Sequence, residues 1–127
     1  MDLISVETMK DGLIVGAAVG AVSAVAVMAI GPHLTDVSGN VAGWAGKWAL
    51  ISVVFGVFAA IAYGALSQQW DWGPQHFLVL AAGLAVALTA MEFLPIYGGG
   101  FAPNWQLYTV LNFVYALGFG YLIPLLH

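Results

Sequence analysis

The chain has 127 residues, of which 62% are hydrophobic and 6% are charged, and its formal net charge is −4. Soluble domains carry about 25% charged residues, and two basic with six acidic side chains cannot cover the water-facing surface of a short chain. The composition therefore excludes an ordinary soluble domain and predicts an integral membrane protein. Two basic residues leave no nucleic-acid-binding surface, and the lack of cysteine excludes disulfides and thiolate metal sites.

Four apolar runs follow one another along the chain, at residues 12–30, 47–66, 76–95 and 106–126. Each has about 20 residues, the length of helix that crosses ~30 Å of hydrocarbon. Because the backbone must satisfy its own hydrogen bonds in lipid, each run is predicted to be helical. The sequence thus predicts an all-α integral membrane protein: a single membrane domain over residues 1–127, built as a four-transmembrane-helix bundle with both termini on the same side. We call this side the near side and the opposite one the far side.

Residues at the ends of the runs predict where the helices begin and end. Asp11 can cap the first span, and residues 2–10 are predicted to form a short helix lying on the membrane. Gly31 can end the first span by turning left-handed. Residues 41–46 extend the second span into the interface, and Pro74 lies in the first turn of the third, where its missing N–H costs nothing.

Tryptophan and lysine report on the membrane boundaries. All five tryptophans fall at predicted helix ends, as expected for interfacial belts: Trp44, Trp48, Trp70, Trp72 and Trp105. Lys10 is predicted on the near side and Lys47 on the far side. With one basic residue on each side, the positive-inside rule does not set the orientation.

Small residues recur every four positions on the spans, a spacing that lets helix backbones approach closely in lipid. The predicted packing positions are Gly12, Gly16, Gly20, Gly56, Gly64 and Gly120. Large aromatic residues fall off these stripes and are predicted to face lipid or a partner subunit. They are Phe55, Phe58, Phe113 and Tyr115.

Glu92 is a carboxylate inside the third predicted span, within one turn of its far end. The first interpretation is structural: Glu92 forms an ion pair with Lys47, because an isolated charge there is costly. The alternative is functional. Thr89, Asn112 and Ser52 also fall in the far halves of their spans, and with Glu92 they would line a polar track that takes up a proton or a cation.

Catalytic and cofactor-binding patterns are missing from the sequence. His33 is predicted on the far side, His76 and His127 on the near side, and none lies in mid-span, so neither haem nor a metal site is predicted. Ser23 has no histidine at its depth to activate it. We therefore expect neither an enzyme nor a cofactor.

Two functions remain as hypotheses. The first is a non-catalytic accessory or structural subunit of a larger membrane complex, and the second is a small oligomeric transporter or channel that uses the polar track. The expected partners are the lipid bilayer and either other membrane subunits or further copies of this chain, but no nucleic acid. The expected location is the cell membrane of a prokaryote. Composition and glycine spacing resemble those of small four-span proteins of halophilic archaea, a resemblance that implies no functional residue.

Overall fold

The computed structural model describes residues 5–71, 73–91 and 105–126, and every regular element in these ranges is helical. The elements are α1 (Val6–Ile30), a 3-10 turn (Gly31–His33), α2 (Thr35–Ser38), α3 (Val41–Gln69), α4 (Pro74–Met91) and α5 (Trp105–Leu126). Four helices, α1, α3, α4 and α5, are long and apolar enough to cross a membrane. The prediction of a multi-pass, four-transmembrane-helix bundle is confirmed.

The first helix begins earlier than predicted, at Val6. Ser5 has an extended backbone and caps the helix, since its Oγ accepts a hydrogen bond of 3.1 Å from the backbone N–H of Thr8. Asp11 lies inside α1, so the predicted cap at that residue is wrong. Residues 6–10 continue α1 because no helix-breaking residue separates them from the apolar run.

The connection from α1 to α3 turns within ten residues on the far side. The backbone of Gly31 is right-handed, with φ −54° and ψ −42°, so the predicted left-handed end of the helix is wrong. The chain continues into the 3-10 turn instead. The short α2 follows, and the side chain of Val37 packs over Gly31. Asn40 then caps α3 by accepting a hydrogen bond of 3.2 Å from the backbone N–H of Gly43.

The near-side turn from α3 to α4 uses a left-handed residue. Asp71 has φ 55°, a conformation that aspartate adopts more readily than most residues. The backbone N–H of Gly73 donates a hydrogen bond of 3.1 Å to Nδ1 of His76. Helix α4 begins at Pro74, whose missing N–H needs no partner in a first turn.

The four long helices pack as two antiparallel pairs, α1 with α3 and α4 with α5, and α5 also packs against α1. Two apolar clusters fill the interior. The near cluster contains Val15, Val19, Ala60, Tyr63, Phe77, Phe119 and Ile123. The far cluster contains Val27, Val37, Ala45, Leu107 and Leu111. Because Leu107 and Leu111 are fully buried or nearly so, the start of α5 is fixed against the α1–α3 pair.

Candidate functional site

The backbones of α1 and α3 lie in direct contact along a seam of glycines. A Cβ atom added to Gly56 would clash with the carbonyl oxygen of Gly12 and lie 2.8 Å from the Cα of Gly16. A Cβ atom on Gly16 would lie 2.7 Å from the Cα of Val53. These neighbours are backbone atoms that cannot rotate away, so only glycine fits at these positions.

The remaining predicted packing glycines serve several helix contacts. A Cβ atom on Gly20 would lie 3.0 Å from the carbonyl oxygen of Ala49, which continues the α1–α3 seam. Gly64 is buried on α3. Gly120 faces α4, where its added Cβ would meet the Cβ of Ala81 at 2.9 Å. The sequence analysis missed Gly118, which receives the side chain of Val19 from α1.

The three described residues of the predicted polar track have different surroundings. Ser52 is fully buried and turned towards α1, where its hydroxyl donates a hydrogen bond of 2.9 Å to the carbonyl oxygen of Gly16. Asn112 is half-buried on α5 and borders a cleft between α3, α4 and α5. Thr89 lies near the end of α4, and its Oγ1 is buried without a hydrogen-bond partner in the described part of the chain. Glu92 lies outside the described residues.

Lys47 is exposed on the second turn of α3 and lies beside two tryptophans. Its Nζ is 5.3 Å from the ring centroid of Trp44 and 5.7 Å from that of Trp48. Both distances are within the range of cation–π attraction. Glu92 lies outside the described residues, so its predicted ion pair with Lys47 stays a prediction.

The cleft between α3, α4 and α5 has a volume of about 440 Å³ and is almost entirely apolar. Seven of its 17 lining residues are aromatic, and we call it the aromatic cleft. Its aromatic lining consists of Trp48, Phe55, Phe58, Phe77, Tyr108, Tyr115 and Phe119. Trp48 and Tyr108 meet edge to face at its far end, with ring centroids 5.7 Å apart.

Tyr115 links α5 to α3 across this cleft. Its hydroxyl donates a hydrogen bond to the carbonyl oxygen of Trp48, and its ring lies 6.2 Å from that of Phe55 and 5.5 Å from that of Phe119. Tyr115 is half-buried, and the contact of its hydroxyl with α3 was not predicted from the sequence. The available signal was its hydroxyl, because a tyrosine in mid-span needs a hydrogen-bond partner that lipid cannot supply.

A second and wider concave surface lies between α1 and α5. This α1–α5 cleft has a volume of about 820 Å³ and is also apolar. Its lining includes the small residues Ala18 and Gly118, with larger side chains such as Val22, Leu117 and Tyr121 around them. Leu117 and Tyr121 are more than half exposed in the isolated chain.

Three hydroxyls within the spans have backbone partners. Ser23 donates a hydrogen bond of 2.8 Å to the carbonyl oxygen of Val19 on its own helix, as Ser52 and Tyr115 do to backbone carbonyls of neighbouring helices. The described residues contain no group of three or more His, Cys, Asp or Glu side chains that could hold a metal ion. Among the described residues, the two apolar clefts and Lys47 are features available to a ligand or partner.

Searches against protein-family models, curated proteins and solved structures each found no match.

Proposed function

We propose that this chain is a non-catalytic integral membrane protein that serves as an accessory or structural subunit of a larger membrane complex in a prokaryotic cell membrane. The observation that carries the proposal is the α1–α5 cleft. Ala18, a small and exposed residue within it, leaves room for close approach by another helix, and helices associate in lipid at such small-residue surfaces. The rim residues Leu117 and Tyr121 would then be buried against the partner.

The internal polar contacts support the same proposal. Ser52 and Tyr115 donate to backbone carbonyl oxygens of neighbouring helices, and Ser23 donates to one on its own helix, so these hydroxyls serve the fold. The aromatic cleft and the α1–α5 cleft are apolar. A protein whose hydroxyls serve its own fold and whose clefts are apolar is suited to association with other chains inside the membrane.

A small oligomeric transporter or channel is the second candidate. Two observations favour it: Asn112 borders the aromatic cleft, and Oγ1 of Thr89 is buried without a hydrogen-bond partner among the described residues. A transport path through Asn112 and Thr89 would not include Ser52, because the hydroxyl of Ser52 is directed to α1.

Photo-crosslinking in native membranes tests the subunit proposal. A photoreactive side chain at Leu117, in the α1–α5 cleft, is expected to capture a defined membrane protein. The same group at Val79, which is 71% exposed on α4 and lines none of the described clefts, is the control and should capture no specific chain.

Purification in a gentle detergent completes the test. A fixed set of copurifying membrane subunits, including the crosslinked chain, supports the accessory role. Isolation of a homo-oligomer alone, with crosslinks from Leu117 only to copies of this chain, would overturn it and favour the transporter.

A further inference from the structure

We propose that the aromatic cleft and Lys47 together bind one anionic phospholipid, with an acyl chain in the cleft and the phosphate beside the Lys47 ammonium. The inference does not depend on the subunit proposal, because the aromatic cleft lies between α3, α4 and α5, and the α1–α5 cleft lies on a different face of α5. Three features of the described residues support it: the length of the cleft, the position of its one cation and the aromatic residues at its mouth.

The cleft is shorter than the hydrocarbon thickness of a bilayer. Its lining extends from Trp48 to Ala62 on α3, from Phe77 to Leu88 on α4 and from Tyr108 to Phe119 on α5. At ~1.5 Å per residue these stretches are about 16–21 Å long, or roughly half to two-thirds of the ~30 Å hydrocarbon thickness. A transmembrane helix spans that full thickness, whereas a lipid chain occupies one leaflet only.

The cation lies where the headgroup of such a lipid would be. Trp48 lines the cleft at its far end, and the Nζ of Lys47 is 5.7 Å from the Trp48 ring centroid. The whole chain has two basic residues, and the other, Lys10, is at the opposite end of the bundle on α1. In a chain of net charge −4, Lys47 is thus the basic side chain that can attract a far-side phosphate.

Aromatic residues flank this mouth. Trp44 and Trp48 hold the Lys47 ammonium over their rings, and Tyr108 packs edge to face on Trp48. Tryptophan and tyrosine favour the headgroup level of a membrane. The mouth is therefore charged and amphipathic, and the interior beneath it is apolar.

Native mass spectrometry of the delipidated, full-length protein tests the proposal with two lipids of identical acyl chains, phosphatidylglycerol and phosphatidylcholine. A lysine near the membrane surface contributes ~1 kcal/mol towards an anionic lipid, so about fivefold tighter binding of phosphatidylglycerol is expected. Lys47→Gln should abolish this preference. Lys10→Gln, the matched control on the other side, should leave it unchanged.

A second pair of variants tests the acyl-chain site. Ala62 lines the cleft and is exposed, so Ala62→Phe should fill the space and weaken binding of both lipids without disturbing the helix seams. Ala87→Phe, at an exposed position on α4 outside the cleft lining, should bind both lipids like the wild type.

Four results would overturn the proposal. They are equal binding of the two lipids by the wild-type protein, an unchanged preference in Lys47→Gln, displacement of phosphatidylglycerol by inorganic phosphate, and dimers that Ala62→Phe abolishes. The third would indicate a simple anion site without an acyl chain, and the fourth would assign the cleft to a second copy.

Discussion

The hydroxyl of Ser52 on α3 donates a hydrogen bond of 2.9 Å to the backbone carbonyl oxygen of Gly16 on α1. The contact is possible because Gly16 has no side chain and its backbone lies against α3. A polar residue and a glycine thus act together: the glycine allows close approach, and the serine adds a directional bond in a region without water.

Replacement of Ser52 by alanine is expected to lower the free energy of unfolding by about 0.5–1.5 kcal/mol, the range for a single hydrogen bond. The effect should be modest, because the carbonyl of Gly16 lies in a helix and keeps its helical hydrogen bond. The matched control is Ser67→Ala, which removes a bond of 3.1 Å within α3 itself, to Gly64. Reversible denaturation in mixed detergent micelles measures both, and equal losses would contradict an inter-helix role for Ser52.

Replacement of Gly56 by alanine should be more damaging than the loss of any single hydrogen bond. The new methyl group would clash with the backbone of Gly12 and Gly16, so α1 and α3 must separate. Overpacking of this kind costs about 1–3 kcal/mol. Gly83→Ala is the control, since no atom lies within 4 Å of a Cβ atom added there. Thermal unfolding in detergent should show a clear fall for the first variant only.

Replacement of Tyr115 by phenylalanine removes the hydroxyl that joins α5 to the Trp48 carbonyl and leaves the ring in place. A loss of about 0.5–1.5 kcal/mol is expected. Tyr121→Phe is the control, because Tyr121 is 60% exposed. Trp48 fluorescence is a second readout, isolated by replacing the other four tryptophans with phenylalanine. A Tyr115→Phe protein as stable as Tyr121→Phe would contradict the link between α5 and α3.

The four-span topology predicts which introduced thiols share a side of the membrane. The chain has no cysteine, so single substitutions are unambiguous. Glu7→Cys and Gln69→Cys should react with a membrane-impermeant maleimide from one side, and Gly39→Cys from the other. All three positions are exposed in the structure. Labelling of all three from one side of sealed vesicles would contradict the spans.

The helices could be predicted from sequence because lipid leaves the backbone few alternatives. The start of α1 could not be predicted, because Ser5 and Asp11 are both good capping residues and the apolar pattern does not choose between them. The cap forms at Ser5, whose hydroxyl reaches the backbone N–H of Thr8.

The candidate site was harder to predict, because hydropathy gives the depth of a residue but not the face on which it lies. Ser52 and Asn112 were grouped by depth, and the structure turns Ser52 towards α1 and places Asn112 at the aromatic cleft. Phe113 and Tyr115 were both expected to point outward. Residues two positions apart on a helix point in directions that differ by about 200°. Phe113 accordingly lines the α1–α5 cleft, whereas Tyr115 lines the aromatic cleft and bonds to α3.

The glycine seam joins two spans, α1 and α3, that are synthesised before α4 and α5, which has a consequence for biosynthesis. The seam lies entirely before residue 70, at Gly12, Gly16 and Gly56. Helices α1 and α3 can therefore pack against each other in the bilayer while α4 is still being translated. The later pair then docks through α5 onto a finished hairpin. We expect the chain to withstand being expressed as two fragments divided in the near-side turn at residues 70–73, with the first fragment inserting stably on its own.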